Sequence, residues 1–364
     1  MANSSNGVNA NPANSSSELI YLPALDSLRG LAVIAVLLGH LDYFFFGEGF
    51  DLFPGGFMGV DLFFVLSGFL ITRNLLHEHF QTGSLNLTRF YLHRALRLLP
   101  ALALLLFLLF PTLWLLKIAP APTLVEGALA IAFYYFNWYV YFTLENIPGA
   151  GHLWSLSVEE QFYLLWPGLL LLMAPLVSGR RWFWPVICVT AVLLAGAVRA
   201  SGWCAGDSWL HLYLRTDLRA DALMLGALVA FGEPRLRTLR VPVLVRFALL
   251  GVFPIAMLTL DNEASWMYLG GFTLLAIYGA LLVFLGSGGH LRRGIPVLNH
   301  IGRISYGLYL CHMPIVLACV SPLAKQLMPS DVIRMLVALL LSLAVAALSY
   351  HYFERPFLAL KKSS

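Results

Sequence analysis

Ten stretches of the chain lie near residues 24–46, 57–76, 96–116, 157–176, 183–200, 216–232, 243–260, 266–286, 299–320 and 332–353. Each is apolar over roughly the 20 residues that a helix needs to cross a bilayer core of ~30 Å. No other feature constrains the fold as strongly. Charged residues are 12% of the sequence, against about a quarter in a soluble domain, and the mean hydropathy is +0.78. A disordered chain, a nucleic-acid-binding protein and an ordinary cytosolic protein are thereby set aside.

An eleventh stretch, 124–142, is crowded with Phe133, Tyr134, Tyr135, Phe136, Trp138, Tyr139, Tyr141 and Phe142. Such rings favour the membrane interface, while short cytoplasmic loops retain Lys and Arg. The basic clusters are Arg73/Arg89/Arg94/Arg97, Arg180/Arg181, Arg235/Arg237/Arg240/Arg246, Arg292/Arg293/Arg303 and Arg355/Lys361/Lys362. With all of them inside, the chain leaves the cytoplasm after Arg97 and is back by Arg180. Only two of the three apolar stretches between those points then cross, and the aromatic one is re-entrant or interfacial. The expectation is an all-α integral membrane protein of about ten transmembrane helices, with both termini cytoplasmic and 17 of its 23 basic residues on the inner side. The net charge of +4 then reports topology rather than an acidic partner.

Residues 1–20 start without Lys or Arg and are rich in Asn and Ser, unlike a signal peptide. They are expected to form a disordered cytoplasmic tail. Residues 21–355 would form one transmembrane domain and 356–364 a short cytoplasmic tail, with no appended soluble domain. There is no internal repeat, G-x-G-x-x-G or Walker A motif. Cys188, Cys204, Cys311 and Cys319 form no C-x-x-C pair and read as small apolar residues in helices.

Ionisable side chains inside membrane helices are costly, so each is a functional hypothesis. In the first span Arg29 and His40 are eleven residues apart. That is about three turns, which puts both on one face with Cα atoms ~16 Å apart along the axis. Asp26, one turn before Arg29, is expected to orient it. A guanidinium near the inner surface suits an anion such as phosphate. A deeper imidazole can take a proton from an attacking hydroxyl near neutral pH. The competing readings are a snorkelling Arg29 and a satisfied interfacial His40. Asp61, at the outer end of the second span, is placed to pair with His40. Ser67 and Gly68 read first as small residues at a close helix approach.

Arg94 and Arg97 are i,i+3 at the start of the third span and project together. Such a patch binds a nucleotide phosphate, touches lipid headgroups or only marks topology. Between Gly151 and Tyr163, the residues Glu159, Glu160, Gln161 and Tyr163 gather with Trp154 at one helix mouth. A Ser157 cap and the helix dipole account for the acids only in part. Arg219 and Asp221 read as an internal ion pair or a further site element. Tyr306 and His312 share a late span, and a kink is expected at Met313-Pro314. Such a kink would turn His312 toward substrate, although a core histidine is the simpler reading. The chain has neither a G-x-S-x-G elbow nor an H-E-x-x-H motif, and no metal is expected.

These motifs occur in one order: Arg29 and His40 ten residues apart in between; Phe63-Phe64-Val65-Leu66-Ser67-Gly68; Arg94-Ala95-Leu96-Arg97; Trp154-Ser155-Leu156-Ser157-Val158-Glu159-Glu160-Gln161-Phe162-Tyr163; and Ser305-Tyr306 through Tyr309-Leu310 to His312. Together they resemble the membrane-bound acyltransferase family 3, which acylates surface carbohydrates and some secondary metabolites. The resemblance runs from about Leu22 to Glu354. It implies a ten-helix core, an acyl-CoA donor on the cytoplasmic side and an acceptor hydroxyl, often on a sugar. It carries the family's Arg-His pair onto Arg29 and His40, its paired arginines onto Arg94 and Arg97, and its Glu-Gln-Phe-Tyr segment onto Glu159, Glu160, Gln161 and Tyr163. Some members carry a fused extracytoplasmic hydrolase-like domain, which this sequence is expected to lack, so the acceptor stays open.

The implied protein is an O-acyltransferase of a bacterial inner membrane that moves an acyl group, commonly acetyl in this family, to a carbohydrate or glycoconjugate hydroxyl. Arg94 and Arg97 would hold the donor's phosphates and Arg29 its thioester arm. His40 would be the general base, and Glu159 or Glu160 would orient the acceptor or support His40. Asp26, Asp61, Ser67, Gln161, Tyr163, Tyr306 and His312 would support substrate. The partners are then membrane lipid, acyl-CoA and the carbohydrate acceptor. Three rivals stand beside it: a transporter or flippase for an acylated or lipid-linked glycan, which often carries inverted repeats; an enzyme with a lipid-phosphate sugar donor, which calls for acidic metal ligands on a loop; and acylation of a small secondary metabolite.

Overall fold

The computed structural model describes residues 20–47, 52–173, 182–291 and 294–360. Residues 1–19 of the expected N-terminal tail, Arg180, Arg181, Arg292, Arg293, Lys361 and Lys362 lie outside the described residues.

Among the described residues every regular element is helical. In chain order they are α1 (Pro23–Phe46), α2 (Met58–Thr82, entered through a 3-10 turn at Pro54–Phe57), α3 (Leu87–Leu115), α4 (Ala121–Ala132), α5 (Phe136–Thr143) and α6 (Trp154–Met173). There follow α7 (Phe183–Ala205), α8 (Trp209–Leu214), α9 (Thr216–Leu236), α10 (Val243–Thr259) and α11 (Phe272–Ser287, entered through a π turn at Met267–Gly271). The last are α12 (Pro296–Arg303), α13 (Ser305–Val320), α14 (Pro322–Leu327), α15 (Asp331–Leu348) and α16 (Arg355–Leu360). Start signals are local. Pro23 opens α1, where its missing N–H costs nothing. The Asn86 side chain caps α3 by accepting from the Arg89 amide at 2.9 Å.

Among the described residues each of the ten apolar stretches falls on helix, the ninth on the bent α12–α13 pair, yet six helices are long and apolar enough to cross by themselves, or seven with that pair. The other three fall short for physical reasons. The first half of α6 carries Glu159, Glu160 and Gln161; α9 carries Asp217, Arg219 and Asp221; α10 is only 17 residues long. The aromatic stretch breaks into α4 and α5 at Tyr134, whose φ of 56° cannot continue a helix. Neither piece spans ~30 Å at 1.5 Å per residue. α12 and α13 meet at 73°, at Ile304, a bend the sequence did not point to, and Pro314 lies inside α13.

The long helices are held together by small residues. A Cβ on Gly68 of α2 would stand 1.9 Å from the Leu223 carbonyl oxygen of α9, and one on Gly226 of α9 would stand 2.0 Å from the Val65 oxygen of α2. Likewise a Cβ on Gly302 of α12 would meet the Asp26 oxygen of α1 at 1.9 Å. Backbone packs on backbone at these crossings, as membrane helices do where small residues line the seam. They draw α2 into the centre, where 83% of its apolar stretch is buried, against 22% for α7 at the periphery. Parts of α1, α2, α3, α6 and α13 then surround a cavity.

Candidate functional site

The cavity has a volume of about 360 Å³. Arg29 of α1, Ser67 of α2, Arg97 of α3, Glu159 of α6 and Tyr306 of α13 all line it. Arg29 donates from Nη2 to the Ser305 hydroxyl at 3.1 Å. Asp26 does not orient Arg29: its carboxylate accepts instead from the Tyr21 hydroxyl. Tyr306 donates to the Leu98 carbonyl at 3.0 Å.

Arg94 and Arg97 point into the bundle but do not act alike. Arg94 pairs with Glu160 at 2.7 Å and lies 3.6 Å over the Tyr163 ring. It is neutralised by α6, where the sequence had suggested a free two-arginine patch. Arg97 has no hydrogen bond or ion pair among the described residues and keeps its guanidinium for the cavity. Glu159 accepts from both the Ser67 and Tyr163 hydroxyls. Gln161 faces elsewhere. Its Nε2 donates to the Tyr134 carbonyl at 2.7 Å and to Asn137 Oδ1 at 3.0 Å, and its Oε1 accepts from Thr216 at 2.5 Å. It ties the broken aromatic segment to α9.

His40 meets neither carboxylate. Its Nδ1 lies 2.9 Å from the Val36 carbonyl oxygen and 3.3 Å from Nε2 of His312. Nδ1 of His312 faces the carbonyls of Leu308 at 3.1 Å and Tyr309 at 2.8 Å. A third imidazole, His152, completes the group: its ring centroid lies 4.7 Å from that of His312 and 6.3 Å from that of His40. Its Nε2 lies 2.7 Å from the Tyr309 carbonyl oxygen. His152 was not singled out from sequence, because it sits in a short 3-10 turn ahead of the conspicuous Glu pair. A titratable residue at the mouth of a membrane helix was the available signal. The Tyr309 hydroxyl is 2.6 Å from the Ser155 hydroxyl and donates to the His152 carbonyl at 2.7 Å. Tyr309 and Ser155 line the cavity, so they form the wall it shares with the histidine cluster. Among the described residues no three His, Cys, Asp or Glu side chains are arranged to hold a metal ion.

Asp61 does not pair with His40 either. It holds Arg219 at 2.7 Å, and both side chains are almost fully buried. The Arg219 guanidinium also lies 4.5 Å from the centre of the Phe272 ring. Asp221 pairs with Arg199 at 2.8 Å rather than with its near neighbour Arg219. These two ion pairs tie α2 and α7 to α9.

The model of the acyltransferase-domain family, acyltransferase 3, matches residues 22–351. The O-acetyltransferase OatA of Staphylococcus aureus strain NCTC 8325 is 31% identical over 356 residues, covering 92% of this chain and 57% of that protein. OatA of strain COL matches to the same extent. A further protein of strain COL, provisionally named an O-acetyltransferase, is 32% identical over 361 residues, covering 93% of this chain and 57% of its own length. The chain thus spans a little over half the length of the curated relatives it matches. No solved structure matches it.

Proposed function

The chain belongs to the acyltransferase-domain family, and we propose that it is an integral membrane O-acetyltransferase using cytoplasmic acetyl-CoA and a carbohydrate hydroxyl. One observation carries the reading: two arginines without a carboxylate partner, Arg29 and Arg97, line one cavity that Tyr309 and Ser155, which contact His40's cluster, also line. The volume lies at the small end of ligand sites, which run from about 300 to 1,000 Å³. It suits a donor's narrow arm rather than its nucleotide. Arg97 would take a phosphate at the mouth, and Arg29 would hold the arm beside Ser305. Arg94 would act from the wall, fixing Glu160 and Tyr163, and Glu159 would orient the acceptor through Ser67 and Tyr163.

The chemistry balances around His40. Its Nε2 takes the acceptor hydroxyl's proton while the oxygen attacks the thioester carbonyl. The C–O bond forms, the C–S bond breaks, and the proton passes to the departing thiolate. Ten spans, both termini in the cytoplasm and residence in a bacterial inner membrane complete the proposal, with the aromatic 124–142 segment lying in the interface.

The test uses membranes of the native host with labelled acetyl-CoA, comparing wild type with His40→Ala at matched protein level. Label entering a glycan in wild type alone supports the reading. Equal labelling removes His40 from the chemistry, and no labelling by either moves the weight to a transporter.

A further inference from the structure

We propose that His312 is a positioning residue for His40: its Nε2 lone pair accepts from the His40 Nδ1–H and fixes His40 with a free, basic Nε2. The inference rests on the proposed role of His40 and adds to it the group that holds the base.

The argument is one of hydrogen-bond parity. Nδ1 of His312 faces two carbonyl oxygens, at 3.1 and 2.8 Å. Carbonyls only accept, so Nδ1 carries the proton and Nε2 of the neutral ring carries a lone pair. That lone pair is 3.3 Å from Nδ1 of His40. The same His40 nitrogen lies 2.9 Å from the Val36 carbonyl oxygen, another pure acceptor. Nδ1 of His40 is therefore protonated and shared between two acceptors, and Nε2 is left as the base. The rings are tilted by 47° with centroids 5.1 Å apart, so they meet through an edge rather than by stacking.

Backbone geometry builds this arrangement. Val36 is one turn before His40 on α1, and Leu308 and Tyr309 are one turn before His312 on α13. Each helix presets the proton of its own imidazole, and the α1–α13 contact joins the two in series. The other titratable groups facing the pair are His152 and Tyr309. His152 Nε2 is directed at the Tyr309 carbonyl and the Tyr309 hydroxyl at Ser155 and the His152 carbonyl, so neither competes for the His40 proton. Asp42, two residues beyond His40, accepts from the Phe53 amide at 2.8 Å and is turned away. When His40 gains the acceptor's proton at Nε2, the imidazolium still donates from Nδ1 to a neutral lone pair, and a hydrogen bond from a charged donor is about twice as strong as a neutral one. This is the part a carboxylate plays in a serine hydrolase triad, performed here by an uncharged group suited to the membrane interior.

The test is nitrogen NMR of histidine-labelled full-length protein in detergent, with His40 assigned by the signal lost in His40→Asn. Wild-type His40 is expected with a protonated Nδ1 and a bare Nε2. His312→Phe should move the Nδ1 resonance, and His312→Gln, whose carbonyl can accept, should restore most of it. In the labelled acetyl-CoA assay His312→Phe should lower kcat roughly tenfold or more with KM for acetyl-CoA unchanged, within the range a positioned base contributes, and His312→Gln should recover part of it. A proton on Nε2 of wild-type His40 overturns the proposal even if His312→Phe does not accumulate. So does an Nδ1 resonance indifferent to His312→Phe, or a Gln variant no better than Phe. The spectra need no turnover. Their failure removes the pairing alone, whereas a wild-type rate in His40→Ala removes the proposed function.

Discussion

Arg94 of α3 and Glu160 of α6 meet at 2.7 Å, and the same guanidinium lies 3.6 Å over the ring of Tyr163. One arginine thus locks two residues of the Glu-Gln-Phe-Tyr segment in place. Removing one member strands the other in a largely desolvated wall, at a cost on the order of 3 kcal/mol. Arg94→Met and Glu160→Leu should each lower the melting temperature in detergent. The double variant should recover much of that loss, because no charge is stranded. Additive losses would show that the two residues do not act as a pair.

Arg97 stands one turn further along α3 without such a partner. If it takes a donor phosphate, Arg97→Ala should raise KM for acetyl-CoA about tenfold, or about 1.4 kcal/mol, with kcat little changed. It should also lose the preference for acetyl-CoA over 3′-dephospho-acetyl-CoA if the 3′-phosphate is the one held. Arg29, already bonded to Ser305, should show the smaller KM effect. An unchanged KM in Arg97→Ala would remove it from donor binding.

Asp61 illustrates what local patterns in the sequence leave out. Helix periodicity assigns a residue to a face but does not say which helix covers that face. The Gly68–Gly226 crossing brings α9 onto α2, and with it Arg219 onto Asp61. The long apolar runs were legible because length and hydropathy set them locally: the stretch 24–46 is α1, Pro23–Phe46. Arg29 and His40 were placed on one helix for the same reason. The pairings of Arg94 and Asp61 were not legible, since each depends on a partner that packing supplies, whereas Asp26 is taken by Tyr21 from just before the same helix. The break at Tyr134 was equally hidden, because it is held by Gln161 from another helix.

The buried Asp61–Arg219 pair gives a structural prediction. Asp61→Ala leaves a desolvated guanidinium among rings and should cost about 3–5 kcal/mol. It should be read as reduced folded protein and a lower melting temperature, before any kinetic effect. Full stability with lost turnover would instead return Asp61 to the chemistry.

Gly68 sets the geometry on which these pairings depend. A methyl group there would lie 1.9 Å from the Leu223 carbonyl oxygen, a backbone atom that no rotamer change can move aside. Gly68→Ala must push α2 away from α9, stretching the Asp61–Arg219 pair and moving Ser67, the preceding residue, off Glu159. Overpacking of this kind typically costs about 1–3 kcal/mol, and here it also loosens two polar contacts. Gly168 of α6 provides the control, since a Cβ there meets nothing within 4 Å. Gly168→Ala should match or exceed wild type in melting temperature, as alanine favours the helix by roughly 1 kcal/mol. Gly68→Ala should fall below both and lose acetyl transfer, and Gly226→Ala added to it should cost less than the sum of the two single effects, because both act on one crossing. Equal tolerance at Gly68 and Gly168 would mean that α2 and α9 do not touch backbone to backbone, and that the cavity wall built on them is held by something else.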